Sequence, residues 1–244
     1  MGATRETDPL SGPECGPIAR VELAPYFVSK YEMTQAQWAR VHLANPSHAQ
    51  VPRVGSDDRL RPVEKISWIS ARQTLAKLGL QLPTEAQWEY ACRGGTSTVW
   101  ASGDTRADQQ AWANLADEEL RRRGGPSGWD YEPWNDGQRD TCAVGRYRAN
   151  GFGLHDFHGN VMEWVAEDCF PEYELLPRAG DGLRTGPSAV RPEYNQIPHV
   201  ARGGGWQTTA ARSRSSHRYG VRETVSEAIG IRPARPVDPD RRVP

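Results

Sequence analysis

The sequence predicts an α+β domain of two to three helices and a few short strands, embedded in long ordered loops. Three observations carry this reading. Gly and Pro number 24 and 19 among 244 residues, so reversals of the chain are frequent. Apolar residues make up 37% and mean hydropathy is −0.73, which suits short elements rather than long buried ones. Nine Trp offset the shortfall, because each can bury a large area. The length is enough for a substantial core, and with no internal repeat or linker the chain reads as one domain over 1–244.

Each element has a local signature. Residues 1–20 form an irregular Gly/Pro-rich lead-in, and VELAPYFVSKYEMT (21–34) alternates as a strand with a turn at Pro25. Thr34 then caps a helix, with Gln37 at capping-box spacing. A second helix begins at Ser67, its apolar face carrying Trp68, Ala71, Leu75 and Leu78, with Gly79 as its stop. In LPTEAQWEYACRGG (82–95), Thr84 and Gln87 form another capping box, Trp88 and Ala91 face inward, and Gly94 ends the third helix. From 95 to 150 the chain is mostly loop, the kind of length that serves function or is tied down by ions. Short strands are expected at Ala143–Tyr147, Val161–Ala166, Val200–Gly204 and Ala228–Arg232, and 233–244 reads as a Pro/Arg tail.

Net charge is −1, which gives no bias toward nucleic acid or membrane. Residues 202–244 are the exception, with nine Arg against Glu223, Glu227, Asp238 and Asp240; a basic C-terminal face of this kind favours an acidic partner. No run approaches a membrane span and no charged-then-apolar leader opens the chain, so a cytoplasmic location is expected. Cys15, Cys92, Cys142 and Cys169 lack any CxxC spacing and read as free thiols. RRRGG (121–125), beside Asp117, Glu118 and Glu119, suggests a solvated mixed-charge loop. GGG (203–205) follows no nucleotide-binding strand–helix pattern and reads as close passage of the chain under the Trp206 ring. His155 and His158 are three apart, but with the other histidines scattered they read as hydrogen-bonding residues rather than a metal pair.

Landmarks stand in order along the chain: KYEMTQAQW (30–38), Pro62-Val63 with Ser67-Trp68, LPTEAQWEYACRGG (82–95), NGFGLHD (150–156), GNVMEW (159–164), RGGGW (202–206) and IGIR (229–232). Together they resemble the formylglycine-generating-enzyme, or sulfatase-modifying-factor, family over about residues 1–236. That resemblance implies a variant of the C-type lectin fold, with a small twisted antiparallel sheet, two main helices and much ordered loop. Formylglycine generation in the family uses copper(I) held by two cysteines, and the matching positions here are Thr208 and Ser213. Soft copper(I) wants thiolates, so no copper is expected and oxidase chemistry is disfavoured. The sulfoxide-forming branch of the family takes its iron-binding histidines largely from an additional helical domain that this sequence lacks.

The resemblance also implies structural calcium. One site would use Asn114 and Asp136 with the carbonyls of Leu115 and Gln138, and a second Asp156 and Glu163 with the carbonyls of Gly159 and Val161, an oxygen-rich set that suits this ion. Trp134-Asn135-Asp136 spells a tripeptide of sugar-binding C-type lectins, but the longer match assigns Asp136 to calcium. In this family the segment from Trp206 to Ile229 crosses the ligand-carrying face. Ala210, Arg214, Ser215 and Arg218 read as framework. Trp206, Gln207, Thr208, Thr209, Arg212, Ser213, His217 and Tyr219, then Val221 to Ala228, are polar, aromatic or basic without shared chemistry, a mixture that suits contact rather than catalysis. The expectation is a calcium-stabilised binding module for a protein, peptide or small ligand. Its patterned segment also resembles the variable proteins of diversity-generating retroelements. The competing readings are an enzyme of the family with a changed active site, acting on a peptide or small molecule, and a sensory or scaffolding part of a signalling assembly.

Overall fold

The structure is a computed structural model. It describes residues 1–48, 58–169, 176–185, 198–222 and 226–238. Strand β1 (Tyr26–Val28) is followed by the helices α1 (Gln35–Trp38), α2 (Trp68–Lys77), α3 (Glu85–Arg93) and α4 (Glu118–Arg122). Strands β2 (Met162–Asp168), β3 (His199–Arg202), β4 (Arg218–Val221), β5 (Ile229–Gly230) and β6 (Ala234–Pro236) complete the order. The main sheet runs β4-β3-β2-β5; its first three strands are antiparallel, while β5 runs parallel to β2, a departure from the all-antiparallel expectation. β1 and β6 form a separate antiparallel pair.

The helices begin where their caps direct. Thr34 and Thr84 each accept from the backbone N–H of the residue three on, Gln37 and Gln87, whose side chains accept from the cap N–H in return. Ser67 caps α2 through the N–H of Ser70. α3 ends at Gly94, whose φ of +57° is the left-handed conformation that glycine adopts without strain. α1 is one turn long, and Leu78 is exposed, so the buried face of α2 is Trp68, Ala71, Thr74 and Leu75.

Alternation along β2 divides the core. Trp164 points into a cluster with Trp38, Ile66, Trp68, Leu75, Ile229 and Ile231, whereas Val165 points into a second cluster with Trp88, Ala91, Phe157 and Val200. A third cluster, Val99, Trp100, Ala113, Leu115, Trp134 and Ala210, joins the long loops to the back of the 206–219 segment. Indoles of the first two clusters find partners: Trp164 donates to Ile66 O (2.8 Å), Trp68 to Val165 O (2.7 Å) and Trp88 to the Glu163 carboxylate (2.7 Å). The Trp134 indole N–H of the third is buried without an acceptor.

Four expectations need correction. Ala143–Tyr147 is a turn-rich loop, because Val144 N–H goes to Leu60 O and Gly145 N–H to the Asp156 carboxylate instead of to a neighbouring strand. The segment after 232 is not all tail, since β6 pairs with β1; residues 239–244 lie outside the described residues. The 117–125 stretch contains α4, capped by Asp117 and laced by Arg121–Glu118 and Arg122–Glu119 ion pairs one turn apart. Gly203 is required by Trp88 and not by Trp206: at φ +90°, an added Cβ would sit 2.8 Å from Phe157 O and 3.0 Å from the Trp88 ring. Among the described residues no helix is long and apolar enough to cross a membrane.

Candidate functional site

The segment that follows β3 is fastened from behind by ion pairs. Arg202 is fully buried; it lies 2.6 Å from Glu89 and 3.3 Å from Glu85, and donates to the carbonyls of Ser215 (2.7 Å) and Ser216 (2.9 Å). Arg218 holds Glu85 at 2.7 Å, and Arg214 holds Asp8 at 2.7 Å. Burial opposes the charge of Glu85 and of Glu89, but the surrounding guanidiniums hold both carboxyls below their ordinary range. Three of the four arginines in 202–220 are thus internal, and Arg212 alone of these is exposed. Within 202–220 most of the expected basic charge is neutralised in the interior, while of the arginines beyond it Arg222 and Arg235 are exposed and Arg241 and Arg242 lie outside the described residues.

The front of the segment carries the predicted contact residues. Trp206, Gln207, Thr208, Thr209, His217 and Tyr219 are all partly exposed, beside Arg212. Trp206 is set by its N–H to Asn160 O (2.9 Å) and its indole N–H to Glu227 O (3.2 Å). Tyr219 donates to Arg212 O (2.8 Å) and meets the His217 ring edge-on at 4.7 Å; burial pushes its hydroxyl up to about 12. Ser213 departs from the prediction, being fully buried. Its carbonyl accepts from Nδ1 of buried His158 (2.6 Å), whose Nε2 accepts from Ala101 N–H (3.0 Å). Burial lowers this imidazole to about 4, so it stays neutral and keeps that tautomer. Residues 223–225 of the expected 221–228 stretch lie outside the described residues. A cleft of about 530 Å³ runs along α2 between Trp68, Arg72 and Leu183, away from this face.

The two positions where the family's copper cysteines would fall are brought together. A Cβ on Gly204, at φ +69°, would meet Thr208 Oγ1 at 2.6 Å and Ser213 Cβ at 3.1 Å. Both hydroxyls are engaged with the backbone: Thr208 with Gly205 N–H and O (3.0 Å each), Ser213 with Ala210 O (3.1 Å). Two neutral hydroxyls do not fit copper(I). Both positions border Gly204, and neither carries the thiolate that copper(I) takes.

The residues expected to hold calcium gather in the adjoining loops. Asn114 donates to Asp140 O (3.0 Å) and Asn160 Oδ1 (3.1 Å), which leaves its own buried Oδ1 without a donor. Asp136 accepts from Gln138 N–H (2.7 Å) and Tyr147 OH (2.8 Å), and burial, with Asp117 adding to it, raises its carboxyl to about 6. Asp156, at φ +61°, accepts from Gly145 N–H through one oxygen, and its other oxygen is buried without a donor. Glu163 is engaged by Arg232 (2.7 Å) and Trp88. No three His, Cys, Asp or Glu side chains among the described residues are arranged to hold a metal. A cation at the first set would depend on amide and carbonyl oxygens as well, and the orphaned Asn114 oxygen suits that. At the second, Asp156 keeps one oxygen without a donor, but both Glu163 oxygens are taken by Arg232 and Trp88, so Glu163 does not fit as a calcium ligand. Sequence reasoning gave no role to Glu32 or Asn160, although both stand in the landmark motifs. Glu32 accepts from Val161 N–H (3.2 Å) and Asn160 Nδ2 (2.6 Å), deep between the two sets. His155 and His158 do not converge, since His155 binds Tyr147 O through Nδ1.

Residues 1–237 match the sulfatase-modifying factor enzyme 1-like domain. The formylglycine-generating enzyme of Mycobacterium tuberculosis is 37% identical over 118 residues, 48% of this chain and 36% of that one, so the chain spans about a third of its length. Treponema denticola variable protein 1 superposes with a TM-score of 0.68 at 25% identity, covering 90% of this chain and 87% of the other. PvdO from Pseudomonas aeruginosa superposes at 0.73 with 21% identity, covering 97% and 90%, a likeness of fold.

Proposed function

The chain belongs to the sulfatase-modifying factor enzyme 1-like family, and on that premise we propose that it is a non-catalytic binding module of this C-type lectin-like scaffold. Its ligand face is Trp206, Gln207, Thr208, Thr209, Arg212, His217 and Tyr219, with Ser213 as a buried support. The observation that carries this is the pair at 208 and 213, held close together yet furnished with hydroxyls that already bond to backbone. A protein, peptide or small ligand would be met by aromatic, hydroxyl and guanidinium groups on a surface rather than in a deep pocket. Calcium at the Asn114/Asp136 set would pin the long loop behind that face. Likeness to a protein named as variable supports the further reading that 206–228 is diversified between copies of the gene.

Two experiments test this. Purified protein is incubated with copper(I), oxygen and a cysteine peptide of sulfatase type, and the peptide mass is expected to stay unchanged; conversion of the cysteine to an aldehyde would replace the binding reading with the enzymatic one. The DNA flanking the gene is then sequenced for a near-copy of codons 206–231 beside a reverse transcriptase. Such a copy, differing where it carries adenine, is expected for a diversified surface, and its absence leaves a fixed binder.

A further inference from the structure

A cavity lined by none of the 206–219 residues lies between β1, α1, the end of α2 and β6. Its volume is about 400 Å³, within the usual range for small-molecule pockets. The first core cluster reaches the surface here, since Met33 belongs to that cluster and Leu80 packs against it. Val28 and Val41 line the cavity half-buried, while Phe27 and Leu78 remain 49% and 43% exposed. Large apolar side chains gathered around one opening, rather than scattered singly, mark a surface made to receive something. The charged and amide groups at this cavity are all donors, and no Asp or Glu lines it. Arg40 follows α1, and Arg235 stands opposite Phe27 in the β1–β6 pair, its guanidinium 4.9 Å from the ring centroid. Unlike Arg202, Arg214 and Arg218, neither has a carboxylate partner among the described residues. Gln37 is fixed by the α1 capping box: its oxygen takes the Thr34 N–H (2.8 Å), which leaves the NH₂ as the group it can offer. Ser29 already donates to Tyr31 O (2.7 Å).

We propose that this cavity binds a free monocarboxylic acid of the fatty-acid class, its chain against Met33, Leu78 and Leu80 and its carboxylate on Arg40 and Arg235. An apolar enclosure bordered by unpaired guanidiniums and an amide NH₂ asks for a molecule that is apolar along its body and anionic at one end. A carboxylate meets the guanidinium fork through two parallel hydrogen bonds, the strongest pairing these side chains make. The volume suits one apolar chain rather than the side of a partner's helix, which is about 10–12 Å across. The site is separate from the 206–219 face and from the calcium reading, and it stands or falls without either.

The test is calorimetric titration of the full chain with hexanoate, octanoate and decanoate at neutral pH, with octanol and octylammonium as matched chains lacking the anion. One acid per chain is expected, tightening about fourfold for each added CH₂ that is buried. Octanol is expected to bind at least about tenfold more weakly than octanoate, because it forgoes the charged hydrogen bonds, and octylammonium not at all. Arg40→Gln and Arg235→Gln, both at exposed positions, are each expected to weaken octanoate about tenfold and to leave octanol unchanged. Leu78→Ser is expected to weaken acid and alcohol by the same factor. Wild-type protein that takes none of the acids at millimolar concentration overturns the proposal. Octanol binding as tightly as octanoate, or both arginine variants binding octanoate as wild type does, overturns the assignment of the anion to this cavity. A leucine-bearing acidic peptide that binds where the free acids do not gives the cavity to a protein partner and overturns it as well.

Discussion

Replacing Arg202 with Met keeps a long, unbranched side chain in the same buried slot and removes its charge and donors. The loss can be worked from its partners. Glu89 keeps Arg93 (2.9 Å) and the Gly2 N–H, but loses a guanidinium at 2.6 Å. Glu85 keeps Arg218 and Arg184. The Ser215 and Ser216 carbonyls lose the donor they shared. Breaking one side of a buried ion pair costs about 3–5 kcal/mol, because the remaining charge stays desolvated. For a chain of this size each kcal/mol moves the melting temperature by about 2–4 °C, which places Arg202→Met about 6–20 °C below wild type. The pH dependence has a definite sign. Glu85 and Glu89 are depressed in the folded state, so their contribution is present above their ordinary range and is lost as pH falls through the folded values. With a guanidinium gone, the acid side of the stability profile is expected to move to higher pH. Scanning calorimetry from pH 3 to 8 reads both effects. A melting temperature within about 3 °C of wild type at pH 7, with an unmoved acid limb, would refute the view that this network fastens the segment.

Other outcomes follow from the same geometry. The double variant Thr208→Cys with Ser213→Cys is expected to hold one copper(I) per chain against a chromogenic chelator, where wild-type protein holds none; a double variant no better than wild type shows that the scaffold around Gly204 no longer accepts the metal. Burial, with Glu85 adding to it, pushes Glu167 up to about 8. Its folded value lies above the unfolded one, so stability is lost as pH rises through it. Glu167→Gln is therefore expected to melt above wild type at pH 9 and to show no such gain at pH 5; a difference constant with pH would contradict this. Gly159→Ala places a Cβ 2.3 Å from Asn114 O at φ +90°, whereas Gly153→Ala, at φ +75°, meets nothing within 4 Å. The second should cost about 1–2 kcal/mol of backbone strain and the first clearly more, read as the difference between their denaturant midpoints. Equal midpoints would remove the argument for crowding there.

What the sequence disclosed was local, and what it concealed was set by distant partners. Ser67, Thr84 with Gln87, and Gly94 announce α2 and α3 because a cap and its helix lie within a few residues of each other. β6 was concealed because Pro233, Arg235 and Pro236 read as a tail, and its partner β1 lies at the other end of the chain. The arginines of 202–220 gave the sign of a local charge and not its depth: Asp8, Glu85 and Glu89, which neutralise them, come from segments far away in sequence. The closeness of 208 and 213 was legible through the family match, but the burial of Ser213 under His158 was not, since nothing in the spacing says which hydroxyl points inward. Glu32 and Asn160 stood in recognisable motifs, and only the fold shows that they meet.

The ion pairs behind the face carry an evolutionary consequence. Arg202, Arg214 and Arg218 grip the segment at its framework positions, so its path does not depend on what the intervening side chains are. Substitutions at the partly or fully exposed Gln207, Thr209, Ala211 and Arg212 would alter the surface while leaving those ion pairs in place. If the segment serves binding as proposed above, its exposed side chains are free to change with little cost to stability.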